Sequence, residues 1–325
     1  AYQKLTAKQI KPDTSLPKAG LYVMRQDWSR NSDYMAIEAT PKGEIATSHG
    51  HTGIFNLVVY AKGTPVLIDS GAGWESDGSG DFWREGSFSH NVATVDGQHQ
   101  LPIKSMFRWG QAVTPAVQDW TTNQKYAYFS GVHEAYERLE RRVSACRRKI
   151  FYLRGKYWLI IDRFTAASPQ DEHEYCQHFQ VNLPAKLEDG GKVTTLGKDG
   201  NLRMIPVAID PAGDFSGEIE PCPHPLEHDP NPQHLRYTLK TKGSGLMATL
   251  LVPFTGRKTP KASVRAIPLQ LADGREPSQW EVTALEINIC GKCDVYVDFH
   301  MAWNMDWLAG GCRGRKRLFH SGACR

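Results

Sequence analysis

The chain has 325 residues, 40% of them hydrophobic and 23% charged, with a formal net charge of +4. That length is enough for a large buried core, and no apolar run approaches the roughly 20 residues a membrane helix needs. The small net charge, with basic residues dispersed except at Arg138 to Lys149 and Arg313 to Arg317, does not imply nucleic acid; the first cluster reads as a solvated strand face.

Residues 1–18 carry no basic, apolar, small-residue order of a signal peptide and read as an incoming connection. From there on, 29 glycines and 19 prolines punctuate short runs rich in Val, Ile, Tyr, Phe and Trp, the pattern of an antiparallel all-β chain. Ile54 to Tyr60 predicts a strand apolar on both faces, and therefore one inside a layered structure. A turn at Lys62-Gly63 returns it through Pro65 to Ile68. Asn91 to Val95 runs into Asp96-Gly97, and Lys149 to Leu153 turns at Arg154-Gly155 into Tyr157 to Ile161. Tyr175, Gln177, Phe179, Val181 and Leu183 alternate along a further strand, and Gly245 to Pro253 and Ala284 to His300 also read as strands.

There is no internal repeat and no clean linker, so one extended sandwich over residues 19–305 is expected. Residues 306–325 lose all strand periodicity and are expected to be a disordered tail. Seven cysteines, an odd number, argue against a complete disulfide framework; a single bridge, Cys290 to Cys293 or elsewhere, stays open. That lone CxxC is a weak zinc signal.

The chemistry concentrates around His49-Gly-His51. In an extended strand the two imidazoles point to one side with Cα atoms roughly 7 Å apart, which suits a shared ligand or a sugar ring. The bland alternative is a pair of histidines at a strand mouth. Asp69 ends the next strand and His90 heads another, so two imidazoles and a carboxylate with an open fourth position are available for zinc. With a tight turn at Lys62-Gly63, Asp69 falls opposite Asn56, roughly 16 Å along a straight strand from His51. The strand must bend, and Gly53 is the expected place.

Four blocks carry a resemblance: GLYVMRQDW at 20–28, SHGHTG with AKGTPVLIDSG at 48–71, FWREGSFSHNVATVDGQHQ at 82–100, and RLERRVSACRRKIFYLRGKYWLIIDRF at 138–164. In order and spacing they resemble the C-terminal β domain of the heparinase II/III family of polysaccharide lyases. The resemblance implies a large antiparallel supersandwich and β-elimination on a uronic-acid polysaccharide of alginate or glycosaminoglycan type. It also implies a periplasmic or secreted setting and an N-terminal α/α toroid that this chain lacks, so the isolated chain is expected to be half an enzyme.

Carried onto matching positions, it implies that His49 faces the catalytic cleft, while His51, Asp69 and His90 bind a structural zinc. Arg25, Trp28 and Arg84 are candidate substrate contacts, since guanidinium pairs with carboxylate and indole stacks on sugar faces. Two alternatives stand beside this reading. One is a noncatalytic carbohydrate-binding sandwich. The other is a cupin-like metal enzyme, which expects a glutamate three to five residues after the histidines, where Thr52 to Asn56 offers no carboxylate. Oligomeric state is not legible.

Overall fold

The alternation of apolar residues and the glycine turns build stacked antiparallel sheets in the computed structural model. It describes residues 12–43, 51–69, 85–105, 108–209, 213–222 and 232–300, together with the backbone of 306–309, 312–315 and 320–321. Apart from three short 3-10 turns, the described elements are strands. Among the described residues no helix is long and apolar enough to cross a membrane.

The first sheet runs, in spatial order, through Thr14–Leu16, Leu21–Arg25, Tyr34–Glu38, Leu57–Ala61, Thr64–Leu67, Glu172–Val181, Gln233–Lys242 and Asp214–Pro221. Ala93–Val95 lies beside Glu172–Val181. The second runs through Ala185–Leu187, Val193–Thr195, Gly200–Ala208, Gly245–Thr255, Tyr157–Ala166, Val143–Leu153, Tyr126–His133 and Ala116–Thr122. Their facing sides form the main core, with Met24, Met35, Ile37 and Val59 against Phe129, Ile150, Trp158 and Ile160.

The second sheet is covered on its other side too. Phe151, Leu159, Ile161 and Leu250 pack on Leu285, Ile287 and Tyr296 of a third sheet built from Ala262–Ala266, Val282–Ile289, Lys292–Phe299 and His320–Ser321. Val295, Val297 and Phe299 then meet Leu269 and Leu271, whose strand Leu269–Leu271 pairs with Asp306–Ala309. The central strands of the second sheet are therefore buried on both faces, and YWLII at 157–161 is apolar throughout.

Several expectations are corrected. Leu57–Ala61 is not a two-sided interior strand: Leu57, Val59 and Ala61 are buried and Tyr60 is exposed, because this sheet is outermost. Residues from 14 onward are no mere connection, since Thr14–Leu16 pairs with Leu21–Arg25 and the Asp13 carboxylate takes the Arg154 guanidinium. In the tail, Asp306–Ala309 pairs with Cys312–Arg315, and His320–Ser321 pairs with the third sheet. Cys290 and Cys293 are both free, and Cys290-Gly291 forms the tip of the hairpin between Val282–Ile289 and Lys292–Phe299. Like Lys62-Gly63 and Asp96-Gly97, that tip has positive φ at both positions, the geometry that matches the twist of paired strands.

Burial leaves several imidazoles neutral. His133 is pushed down to about 3 by burial and then by the Arg148 charge, and Ala135 N–H donates to its Nδ1. His234 falls to about 4, through burial and then Arg236, and His300 to about 3, chiefly through burial. The unfolded chain, with imidazoles near 6.5, binds more protons than the folded one below that pH. Stability is therefore expected to be fully present above about pH 7 and to fall as pH drops toward about 4, each of the three sites contributing up to about 1.4 kcal/mol per pH unit. Urea unfolding across that range checks this, and a flat profile contradicts it.

Candidate metal centre

Three separate segments deliver the site. His51 enters a turn in which Asn56 N–H donates to Gly53 O at 3.1 Å, and the left-handed residue of that turn is Phe55, at φ 60°. The expected bend is thus present, but Ile54 and Phe55 belong to the turn rather than to a strand, and Gly53 is not where the backbone turns left-handed. Gly53 is needed for another reason: a Cβ there would stand 3.2 Å from His90 Cδ2 and 3.3 Å from Asn56 Cβ. Asp69 follows Thr64–Leu67; a bulge pairs Val59 with Leu67 and so moves the ladder one residue away from the expected opposition to Asn56, yet Asn56 Nδ2 still donates to Asp69 Oδ2. His90 closes the 3-10 turn Ser87–Ser89, its N–H donating to Ser87 O at 3.2 Å.

These turns gather His51, Asp69 and His90 so that one donor atom from each lies within 4.8 Å of the others. His90 Nδ1 is 3.2 Å from Asp69 Oδ2, and the two imidazoles stack with centroids 5.3 Å apart. Burial, then the neighbouring His90, lowers His51 to about 4. Neutral imidazoles keep their lone pairs, the state in which they bind metal. His90 is 1% exposed, yet its Nε2 has no hydrogen-bond partner. Two imidazoles and one carboxylate fit a zinc ion with an open position.

Around this cluster the loops are fixed by side chains that sequence reasoning missed. Asn91, next to His90, receives Gln180 N–H on Oδ1 at 2.7 Å and donates through Nδ2 to Leu57 O and Ile68 O, both at 2.7 Å. Its own N–H goes to Asn56 Oδ1 at 2.9 Å. Ser87 Oγ donates to Thr52 O at 2.8 Å, and Gln100 holds both N–H and C=O of Ile54. Arg148 Nη1 donates to Phe55 O at 3.1 Å and Asn91 O at 2.6 Å. The expected solvated face of Arg138 to Lys149 is corrected here, because Arg148 and Lys149 are each 2% exposed. The one available signal was the alternation of that strand, which directs successive residues into opposite layers.

Residues 8–222 match the family described as Heparinase II/III-like, C-terminal. The chain belongs to this family. Heparin-sulfate lyase of Pedobacter heparinus is 22% identical to it over 258 residues, 77% of this chain and 36% of that protein. The crystal structure of heparan sulfate lyase from Pedobacter heparinus matches with a TM-score of 0.67 at 18% identity, covering 90% of this chain and 43% of the other. A crystal structure of heparinase III matches at 0.64 and 18%, covering 86% and 41%. At such identities the structural likeness is one of fold, and the chain spans less than half the length of these relatives. Membership of a heparinase-like family displaces the cupin-like alternative.

Of the other residues considered for a heparinase-like site, His49 and Arg84 lie outside the described residues. Arg25 and Trp28 are together but apart from the metal cluster. The Arg25 guanidinium is 4.7 Å from the ring centroids of both Trp28 and Tyr34, and Tyr60 packs edge-on to Tyr34. Trp28 is 46% exposed, so this is an open cation–aromatic platform on the outer face of the first sheet. Along Tyr34–Glu38 it is roughly 13 Å from the Glu38 end, whose charge reaches His51.

Asn91→Ala strands two carbonyls and one N–H, each worth about 1–3 kcal/mol when left unbonded and buried. The expected loss in chemical unfolding is about 3 kcal/mol or more, and a loss below about 1 kcal/mol contradicts the role given to this side chain.

Proposed function

We propose that this chain is the β domain of a polysaccharide lyase that cleaves a uronic-acid-containing polysaccharide by β-elimination. The carrying observation is the convergence of His51, Asp69 and His90, with the buried unbonded His90 Nε2, in a chain of the heparinase II/III-like family. Relatives named as heparin and heparan sulfate lyases favour a glycosaminoglycan over alginate. A periplasmic or secreted setting goes with such a substrate.

β-Elimination needs the C5 carboxylate neutralised, the C5 proton removed and the departing O4 protonated. His49, two residues before His51, is the proposed proton-transfer group, because an imidazole titrates near neutrality. Zinc at His51, Asp69 and His90 supplies a structural cross-link between the three segments that form this rim. The neutraliser and the remaining acid or base are assigned to the family's α/α toroid domain, a partner of this domain in the complete lyase. Arg25, Trp28 and Arg84 are proposed to contact the acidic substrate, with Arg25 and Trp28 acting as the open platform described above.

The metal is tested by elemental analysis of protein purified without chelator. About one zinc per chain is expected, and His51→Ala should remove most of it; full retention of zinc by the variant overturns the ligand set.

The catalytic assignment is tested in a full-length lyase carrying this domain. There, His49→Ala should lower turnover about 100- to 10,000-fold with zinc content intact, followed through the absorbance of the conjugated double bond in the product. Unchanged turnover removes His49 from the mechanism. Absence of elimination by the full-length protein on every uronate polymer, with saccharide binding retained, favours the noncatalytic carbohydrate-binding reading.

A further inference from the structure

A second cavity lies far from the metal cluster. It is a cleft of about 1270 Å³ where the first three sheets meet, bounded by the Asp96-Gly97 turn, the start of Glu172–Val181, the turn before Gly245, Arg163 and Trp280. Six residues of strand separate Glu174 at this end from Gln180, which hydrogen-bonds the His90 loop at Phe88 O, so the two places are roughly 20 Å apart.

Two buried nitrogens beside it have no hydrogen-bond partner among the described residues, one on His173 and one on Arg163. The His173 side chain is fully buried, with Nδ1 2.9 Å from Asp96 Oδ2, while Asp96 Oδ1 accepts Glu174 N–H at 2.8 Å. A carboxylate against Nδ1 assigns the proton to that nitrogen and leaves Nε2 as a lone-pair acceptor. His173 Nε2 has no hydrogen-bond partner. Arg163 places its guanidinium 6.0 Å from the half-buried Trp280 ring, and its Nε is also buried and unbonded. The lysines of the rim are matched already, Lys240 with Glu174 at 3.3 Å and Lys242 with Glu172 at 3.8 Å, and Arg141 leans on Asp96 at 3.9 Å.

We propose that this cleft is a second saccharide subsite, which takes an acidic sugar by stacking its ring on Trp280 and pairing its carboxylate or sulfate with Arg163. An indole face suits the C–H face of a pyranose, and a guanidinium fork suits a carboxylate or sulfate. The choice of a sugar over any other anion rests on the lyase reading; the site itself does not depend on zinc or turnover. A polymer held here stays near the remote metal-bearing rim after each release, which raises its effective concentration there.

The test titrates the 325-residue chain with a heparin-derived tetrasaccharide and, separately, with a hyaluronan tetrasaccharide and inorganic sulfate, by calorimetry. Trp280→Ala and Arg163→Gln are each expected to weaken tetrasaccharide binding at least about tenfold, with Trp280→Phe retaining most of it. Heparin alone binding assigns the pairing to sulfate, and both binding assigns it to carboxylate. On the unaltered chain, which needs no variant to fold, bound tetrasaccharide should protect Trp280 from oxidation mapped by mass spectrometry. Absence of tetrasaccharide binding, sulfate binding as tightly as the sugar, or an unprotected Trp280 in the saturated chain overturns the subsite. Zinc content and turnover are read independently, so failure of the lyase reading leaves a different signature.

Discussion

Everything at the rim formed by His51, Asp69 and His90 hangs on the buried pair Arg148–Asp162. Arg148 Nε and Nη2 meet the two Asp162 oxygens at 2.8 Å each, and both side chains are 2% exposed. Desolvating two charges is costly, and such a pair holds only if its remaining donors and acceptors are satisfied. Here they are used to join layers. Asp162 Oδ2 also takes Gln177 Nε2 at 2.7 Å, and Gln177 Oε1 takes Thr249 Oγ1 at 2.6 Å, so the pair binds the second sheet to the first. The free edge of the guanidinium holds the carbonyls of Phe55 and Asn91. Phe55 is the left-handed residue of the His51 turn, and Asn91 follows His90. The geometry of the rim is thus set from inside the sandwich rather than by its own loops.

The neighbouring residue does the same in the opposite direction. Because successive strand side chains point to opposite faces, Lys149 leaves the first core and enters the second. Its Nζ lies 2.6 Å from Asp298 Oδ2 and 3.2 Å from His300 Nδ1, and His300 Nε2 is 2.7 Å from Thr283 Oγ1. One strand of the second sheet therefore carries consecutive cations that fix the first and third sheets to it. Apolar packing alone would tolerate sliding between layers; buried charges with directional partners fix one register.

This explains what could and could not be read in the sequence. The layered β fold and the hairpin tips at Lys62-Gly63 and Asp96-Gly97 follow from local chemistry, since period-two patterning and left-handed turn dipeptides act over a few residues. The turn alone brings Asp69 near Asn56, while the bulge at Val59 that shifts the ladder by one residue is not legible in it. Phe55 defeats such reading, because a bulky residue at positive φ is imposed by Arg148 holding its carbonyl from 93 residues away and Gln100 holding the backbone of its neighbour Ile54 from 46. RRVSACRRK reads as solvated, and Arg141 and Arg142 are; Arg148 and Lys149 are buried only because carboxylates and carbonyls from distant segments arrive to meet them. The tail gave no periodicity, and its short strands are defined by partners at Leu269–Leu271 and Lys292–Phe299. His51, Asp69 and His90 were legible together through family resemblance; spacing alone left the bend between them open.

The two polar ends of the first sheet are also mechanically joined. Ala93–Val95 leaves the His90–Asn91 corner, is buried at every residue, and delivers Asp96 to the remote cleft. It is laddered to Tyr175–Gln177 on one side, and Gln100 Nε2 reaches Ala93 O at 3.2 Å. At the near end Asn91 is held by three segments, at Asn56 and Leu57, at Ile68 and at Gln180, and at the far end Asp96 N–H and Oδ1 are both fastened to Glu174. A strand laddered and pinned at both ends in this way, with its side chains buried, transmits position without stretching. The spacing between His90 and His173 is therefore a fixed property of the fold. Under the proposed lyase and subsite readings, a flexible acidic polymer engaging both ends would have to adapt to that spacing, and the sandwich itself, rather than either loop, would set its register.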